Sequence, residues 1–140
     1  MKNLIFTFIL FGVFIPGIIA QTDFVVITNS STPVESLTVK ELKKIYLGHT
    51  TIWKNKTKIK PSYLQSSKSF WTEKGVDMSY TNYQRYWTKR IFSGYGVAPK
   101  KYSEDKEVIK YVSGIKGGIG IISASAKGSL NSDCKILTLK

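Results

Sequence analysis

Short apolar runs alternate with amphipathic segments along most of the chain. Residues 23–28 form a β-branched apolar run that predicts a strand buried on both faces. Further strands are predicted over residues 58–64, 117–122 and 135–139, and Pro61 in the first of these indicates an edge or a bulge. Because strands and helices alternate, the pattern predicts one α/β domain with a small, mainly parallel sheet flanked by helices.

The amphipathic segments between these runs predict four helices, and the first has clear end signals. Thr38 and Glu41 have the spacing of a capping box, and Gly48 is placed to end a helix over residues 39–47. The other predicted helices cover residues 70–74, the segment from the cap Ser79 through Ile91 that stops before Gly94, and the segment from the cap Ser103 to Gly114. The core-facing side chains predicted for the first and third helices are Val39, Leu42, Ile45, Tyr46, Tyr83, Trp87 and Ile91.

Residues 1–20 have the layout of a secretory signal peptide. A short basic start precedes an almost wholly apolar run over residues 4–14, which Pro16-Gly17 then interrupts. The alternative is an uncleaved membrane anchor, but the interruption leaves the run short of the roughly 20 residues that span a bilayer. We therefore predict cleavage before Gln21, a domain of residues 21–140 without stable membrane insertion, and a periplasmic or secreted location.

The composition then limits the chemistry that one chain can perform. The 140 residues include 21 Lys and Arg against 9 Asp and Glu, a net charge of +12, and 42% are hydrophobic, which predicts a folded, basic domain. His49 is the only histidine and Cys134 the only cysteine, so a zinc site, a Ser-His-Asp triad and an intramolecular disulfide are excluded. We expect no cofactor, no metal and no enzymatic activity. We expect Cys134 to be buried and inert, with an intermolecular bridge as the alternative.

A serine-rich turn is the most suggestive local site. Ser66, Ser67, Lys68 and Ser69 follow a predicted strand and open a predicted helix. Backbone N–H groups at a helix start, hydroxyl donors and a lysine together suit an oxyanion such as phosphate or sulfate. The alternative is an ordinary serine cap beside a solvated lysine, and the turn alone does not decide between the two.

Two other motifs suggest ligand binding but are better explained by packing. Residues 80–90 interleave aromatic side chains with Arg85 and Arg90, which could bind single-stranded nucleic acid. The aromatic residues recur at core-stripe spacing, however, and the two arginines do not share a face. The glycine-rich segment 117–120 follows a helix and leads into a strand, the reverse of a dinucleotide-binding loop, so it predicts close packing or a bend.

The ordered set of motifs resembles the PstS-like, phosphate-type substrate-binding proteins of bacterial ABC transporters, most closely their short, single-lobe members. The likeness extends from about Phe24 to Ser123. The motifs that carry it are residues 37–48 ending in Ile-Tyr-Leu-Gly, Trp53, the serine turn at Ser66, residues 83–94, and the Gly-Gly-Ile-Gly-Ile-Ile run at 117–122.

This resemblance implies one lobe of a type II periplasmic-binding-protein fold and a non-enzymatic, solute-binding-like protein. In the two-lobed relatives phosphate lies in the cleft, held partly by a Ser-Gly-Thr turn that follows an arginine. Ser66, Ser67 and Lys68 stand at the three turn positions, and no arginine precedes them. The candidate ligand residues are therefore Ser66, Ser67, Lys68 and Ser69, with phosphate or a similar oxyanion as ligand.

Length sets the main expectation about affinity. The 120 residues that follow the predicted signal peptide provide one lobe, which leaves a bound anion half solvated. We therefore expect weak binding, or a homodimer or partner protein that completes the site. The alternative is a periplasmic interaction or structural protein whose basic, aromatic-rich surface binds a protein partner or an anionic polymer. Nucleic-acid binding is the least favoured function.

Overall fold

The computed structural model describes residues 24–140, apart from the side chains of residues 69–71, so the predicted signal peptide at residues 1–20 lies outside the described residues. The strands of the described part are β1 (Phe24–Asn29), β2 (Ser36–Leu37), β3 (Lys60–Leu64), β4 (Lys100–Tyr102), β5 (Gly118–Ser123) and β6 (Cys134–Leu139). Its α-helices are α1 (Val39–Tyr46), α2 (Lys68–Lys74), α3 (Tyr80–Phe92) and α4 (Asp105–Gly114), and 3₁₀ turns cover Gln65–Ser67 and Ala124–Ser129.

The strands form a single sheet in the order β2-β6-β1-β5-β3-β4. Strand β1 pairs antiparallel with both β5 and β6, whereas the β2–β6, β3–β5 and β3–β4 pairs are parallel. Only β1, among the described strands, therefore runs against the others, which confirms the mainly parallel sheet. Strand β3 lies between β5 and β4, so it is not an edge strand. Pairing with β4 begins at Ser62, after Pro61, and the missing N–H of Pro61 therefore removes no hydrogen bond to β4.

Helices cover both faces of the sheet. On one face α1 and α3 pack on a cluster that includes Val26, Ile119 and Ile121. On the other face α4 packs Val108 and Val112 against the sheet, together with the buried thiol of Cys134. The alternating side chains of the central strands thus bury apolar surface on both faces, as predicted for an α/β protein.

Two side chains predicted in the core lie at its margin. Val39 and Ile91 are exposed, because Val39 stands in the first turn of α1 and Ile91 in the last turn of α3, where each helix extends beyond the core. The predicted cap of α4 is also wrong by one residue. Glu104 occupies the cap position, and the Glu107 carboxylate accepts hydrogen bonds from the N–H groups of Ser103 and Glu104.

Candidate functional site

The carboxyl end of β3 leads directly into a helical segment. The 3₁₀ turn Gln65–Ser67 continues into α2, so the chain is helical from Gln65 to Lys74. Leu64 occupies the cap position with extended backbone, and no described side chain hydrogen-bonds the first N–H groups of this segment. The first N–H groups of a helix have no acceptor inside it. They therefore remain able to receive an anion from outside the chain.

The starts of α1, α3 and α4 are capped by side chains of the same chain. The Thr38 hydroxyl accepts from the Glu41 N–H at 3.2 Å, and the Ser79 hydroxyl accepts from the Asn82 N–H at 3.2 Å. At the start of α4 the Glu107 carboxylate accepts from the Glu104 N–H at 3.1 Å. Within the described part, the helical start after β3 and that of the 3₁₀ turn Ala124–Ser129 lack such a cap, and only the first of these continues into an α-helix.

The predicted ligand residues occupy different environments at this turn. Ser66 and Lys68 are exposed, and the Lys68 ammonium lies 5.5 Å from the centre of the Tyr80 ring. Ser67 is fully buried, and its hydroxyl donates to the Leu64 carbonyl at 2.5 Å. The side chain of Ser69 lies outside the described side chains. The turn thus presents Ser66 and Lys68 to solvent, while the Ser67 hydroxyl is engaged by the chain itself.

A carboxylate occupies the adjacent strand end. Strand β5 runs parallel to β3 with Tyr63 opposite Ile121, so Ser123 follows the pairing at the same edge of the sheet as the Ser66 turn. The Ser123 N–H and hydroxyl both donate to the Asp105 carboxylate, at 2.7 and 2.6 Å. The donors at the end of β5 are therefore already satisfied by an anion of the chain. The sequence did not indicate a role for Asp105 at this site, because β4, which places it at this edge, was not predicted.

A family model that matches most of the sequence identifies the family of this chain. A family model described as a PBP superfamily domain matches residues 14–135. The chain belongs to this family. A search of curated proteins finds no match.

Three solved structures that are similar to this PBP domain have about twice its length. A phosphate transport receptor of an ABC system from Vibrio cholerae is 21% identical with a TM-score of 0.54, covering 84% of this chain and 46% of its own. PstS from Borrelia burgdorferi is 16% identical with a TM-score of 0.59, covering 85% and 47%. A structure from Clostridium perfringens, of a substrate-binding protein assigned to a phosphate ABC transporter and solved with bound phosphate, is 19% identical with a TM-score of 0.55, covering 84% and 45%.

These likenesses establish the fold, and the chain spans a little less than half the length of those proteins. The α/β fold class and the single-lobe prediction are therefore confirmed. The resemblance to phosphate-type substrate-binding proteins is confirmed as well.

The aromatic residues of α3 belong to the core of the PBP domain. The Tyr83 hydroxyl and the Trp87 indole N–H both donate to the Tyr46 carbonyl, at 2.9 and 3.1 Å. The Tyr86 hydroxyl donates to the Leu47 carbonyl at 2.6 Å. The carbonyls at the end of α1 receive no hydrogen bond from an N–H group of that helix, and the side chains of α3 provide the missing donors. The predicted core position is confirmed for Tyr83 and Trp87. Both rings are buried, so neither can stack with a nucleic-acid base.

The glycine-rich segment also serves packing. Gly117 has a φ of 80°, and a Cβ there would lie 2.0 Å from the Lys58 carbonyl oxygen. A Cβ on Gly120 would lie 2.6 Å from Val108 Cγ1. The segment lets α4 and the loop before β3 approach β5, as the predicted close packing requires.

The titratable groups outside the Ser66 turn are the other candidates for chemistry in the described residues. Residues 24–140 contain no group of three or more His, Cys, Asp or Glu that could hold a metal ion. His49 is exposed, and its Nε2 lies 3.2 Å from the Tyr86 hydroxyl. Burial raises the pKa of the Cys134 thiol to about 11, so little of it is the reactive thiolate at neutral pH. No helix of the described chain is long and apolar enough to cross a membrane.

Proposed function

We propose that this protein is an exported, non-enzymatic solute-binding protein that binds an inorganic oxyanion, with phosphate as the leading candidate, at the turn formed by Ser66, Ser67, Lys68 and Ser69. The observation that carries the proposal is the uncapped helical start at the carboxyl end of β3. A bound oxyanion would accept hydrogen bonds from these N–H groups and interact favourably with the helix dipole. The phosphate-transport proteins that share the fold support this class of ligand.

Binding by one lobe is expected to be weak for reasons visible at the turn. Lys68 provides a point charge without the two parallel bonds of an arginine. The Ser67 hydroxyl donates to Leu64, and the Asp105 carboxylate places negative charge at the same sheet edge. We expect a Kd in the millimolar range, which corresponds to a binding free energy of about −4 kcal/mol. Tighter binding would require a second surface, provided by a homodimer or by a partner protein.

Calorimetric titration with phosphate and with sulfate tests this function. Ser66→Asp would place a carboxylate against the same N–H groups, where the helix dipole favours it, so the variant should fold and lose anion binding. Thr88→Asp, on the exposed side of α3, adds the same charge away from the turn and serves as the control. We expect saturable heat for the native protein and for Thr88→Asp. Absence of heat with the native protein, or equal binding by both variants, contradicts the proposal.

A second candidate function is that of an interaction or structural protein which binds a protein partner or an anionic polymer. The excess of 21 basic over 9 acidic residues favours it. It predicts binding to heparin that weakens with salt and is insensitive to Ser66→Asp. Loss of heparin binding in millimolar phosphate at constant ionic strength would instead assign both ligands to the Ser66 turn.

A further inference from the structure

Four apolar side chains stand out from the surface where α3 ends and the loop to β4 begins. Ile91 is 51% exposed, Phe92 88%, Tyr95 69% and Val97 84%. We name these four residues the apolar tip. Gly94 and Gly96, with φ of 75° and 105°, turn the chain between them.

The apolar tip lies away from the proposed oxyanion site. Its loop leads into the first residue of β4, and Val97 lines a groove with Lys60 and Pro61, which begin β3. The Ser66 turn follows the opposite end of β3. A ligand on the apolar tip therefore leaves the Ser66 turn open to solvent.

The surroundings of the apolar tip carry one sign of charge. Residues 78–103 contain five Lys and Arg and no acidic residue, and two grooves beside Val97 are lined by Lys58, Lys60, Arg90 and Lys100 and by no acidic side chain. Lys89 and Arg90 come just before the apolar tip in sequence, and Lys100 and Lys101 just after it. A partner at this surface must combine apolar character with negative charge.

We propose that the apolar tip docks this protein on the surface of an anionic phospholipid bilayer. Phe92 and Val97 are so exposed that most of the surface of each side chain is available to a partner. A fluid lipid interface needs no complementary shape. It accepts apolar and aromatic side chains between headgroups, while flanking lysines contact anionic phosphates. This surface is independent of the Ser66 turn and goes beyond the proposed oxyanion binding.

Vesicle sedimentation with the purified protein tests the proposal. The vesicles contain phosphatidylcholine alone or phosphatidylcholine with phosphatidylglycerol, at low and at high salt. The test variant is Phe92→Ser/Val97→Ser, and the control is Val39→Ser/Ile136→Ser, which removes two exposed apolar side chains elsewhere. Both variants change exposed positions, and their thermal unfolding is compared with that of the native protein.

We expect the native protein to bind the anionic vesicles at least tenfold more tightly than the neutral ones, and less tightly at high salt. We expect the test variant to lose at least tenfold in affinity and the control to bind like the native protein. Equal binding by the test variant and the native protein overturns the proposal, because charge alone would then explain it. Absence of vesicle binding also overturns it, and a dimer that only the test variant abolishes would assign the apolar tip to a second copy of the chain.

Discussion

Gly120 provides a direct test of how closely α4 packs on the sheet. A Cβ at this position would lie 2.6 Å from Val108 Cγ1, 2.9 Å from Val112 Cγ2 and 3.0 Å from the Ser62 hydroxyl. Val108 and Val112 are fully buried, so neither can rotate away into solvent. Gly120→Ala must therefore move α4 away from β5 or force a valine from its preferred rotamer.

The expected loss follows from the cost of overpacking a core. Added methyl groups in well-packed cores typically cost about 1–3 kcal/mol. For a domain of this size, 1 kcal/mol corresponds to roughly 4 °C in Tm, so we expect a fall of roughly 4–12 °C. Val108→Ala removes the nearest methyl group. The double variant Gly120→Ala/Val108→Ala should therefore be more stable than the sum of the two single effects predicts.

Urea and thermal unfolding followed by circular dichroism measure these effects. Gly128→Ala is the control, because a Cβ there meets no atom within 4 Å and its φ is not positive. It should change the free energy of unfolding by less than about 0.5 kcal/mol. The packing argument is refuted if Gly120→Ala is as stable as Gly128→Ala, or if the effects of Gly120→Ala and Val108→Ala simply add.

Four further predictions concern the first helix, the thiol and the aromatic helix. Thr38→Ala removes the acceptor of the Glu41 N–H and should cost about 1 kcal/mol in urea unfolding; no loss contradicts the capping box. Hydrogen bonds from Thr38 lower the pKa of Glu41 below its ordinary 4.5, and this contribution is lost as the pH falls through the lowered pKa. Glu41→Gln should therefore destabilise at neutral pH and have progressively less effect as the pH falls through that pKa. Because burial raises the pKa of Cys134 to about 11, a thiol reagent at neutral pH should label it only after unfolding, and rapid native labelling would refute its burial. Trp87→Ala removes a buried ring and its bond to the Tyr46 carbonyl and should cost about 3–5 kcal/mol in urea unfolding, whereas a loss below about 1 kcal/mol would argue that the ring is not in the core.

Local signals made much of the fold predictable. The β-branched run of β1, the capping box before α1 and Gly48 after it each act within a few residues, and the structure has all three. Strands β2 and β4 have two and three residues, too few for an alternating pattern. They exist because β6 and β3 offer backbone partners, which is a property of the folded sheet.

The location of the candidate site could be predicted from the sequence, but two of its hydrogen-bond contacts could not. The position of the Ser66 turn after a strand was predictable from the order of elements. The direction of the Ser67 hydroxyl was not, because it depends on how the 3₁₀ turn places Ser67 above the Leu64 carbonyl. The bond from Ser123 to Asp105 joins residues 18 positions apart at the ends of two different elements, and no local pattern reports it.

Nuclear magnetic resonance titration of the ¹⁵N-labelled protein with phosphate tests the central claim most directly, because it observes the backbone N–H groups themselves. Oxyanion binding at the helical start predicts saturable shifts that are largest for the amides of Ser66, Ser67 and Lys68. It also predicts that Ser66→Asp removes these shifts, while Thr88→Asp retains them. Absence of saturable shifts at these amides in millimolar phosphate, or shifts spread evenly over the surface lysines, would contradict the claim.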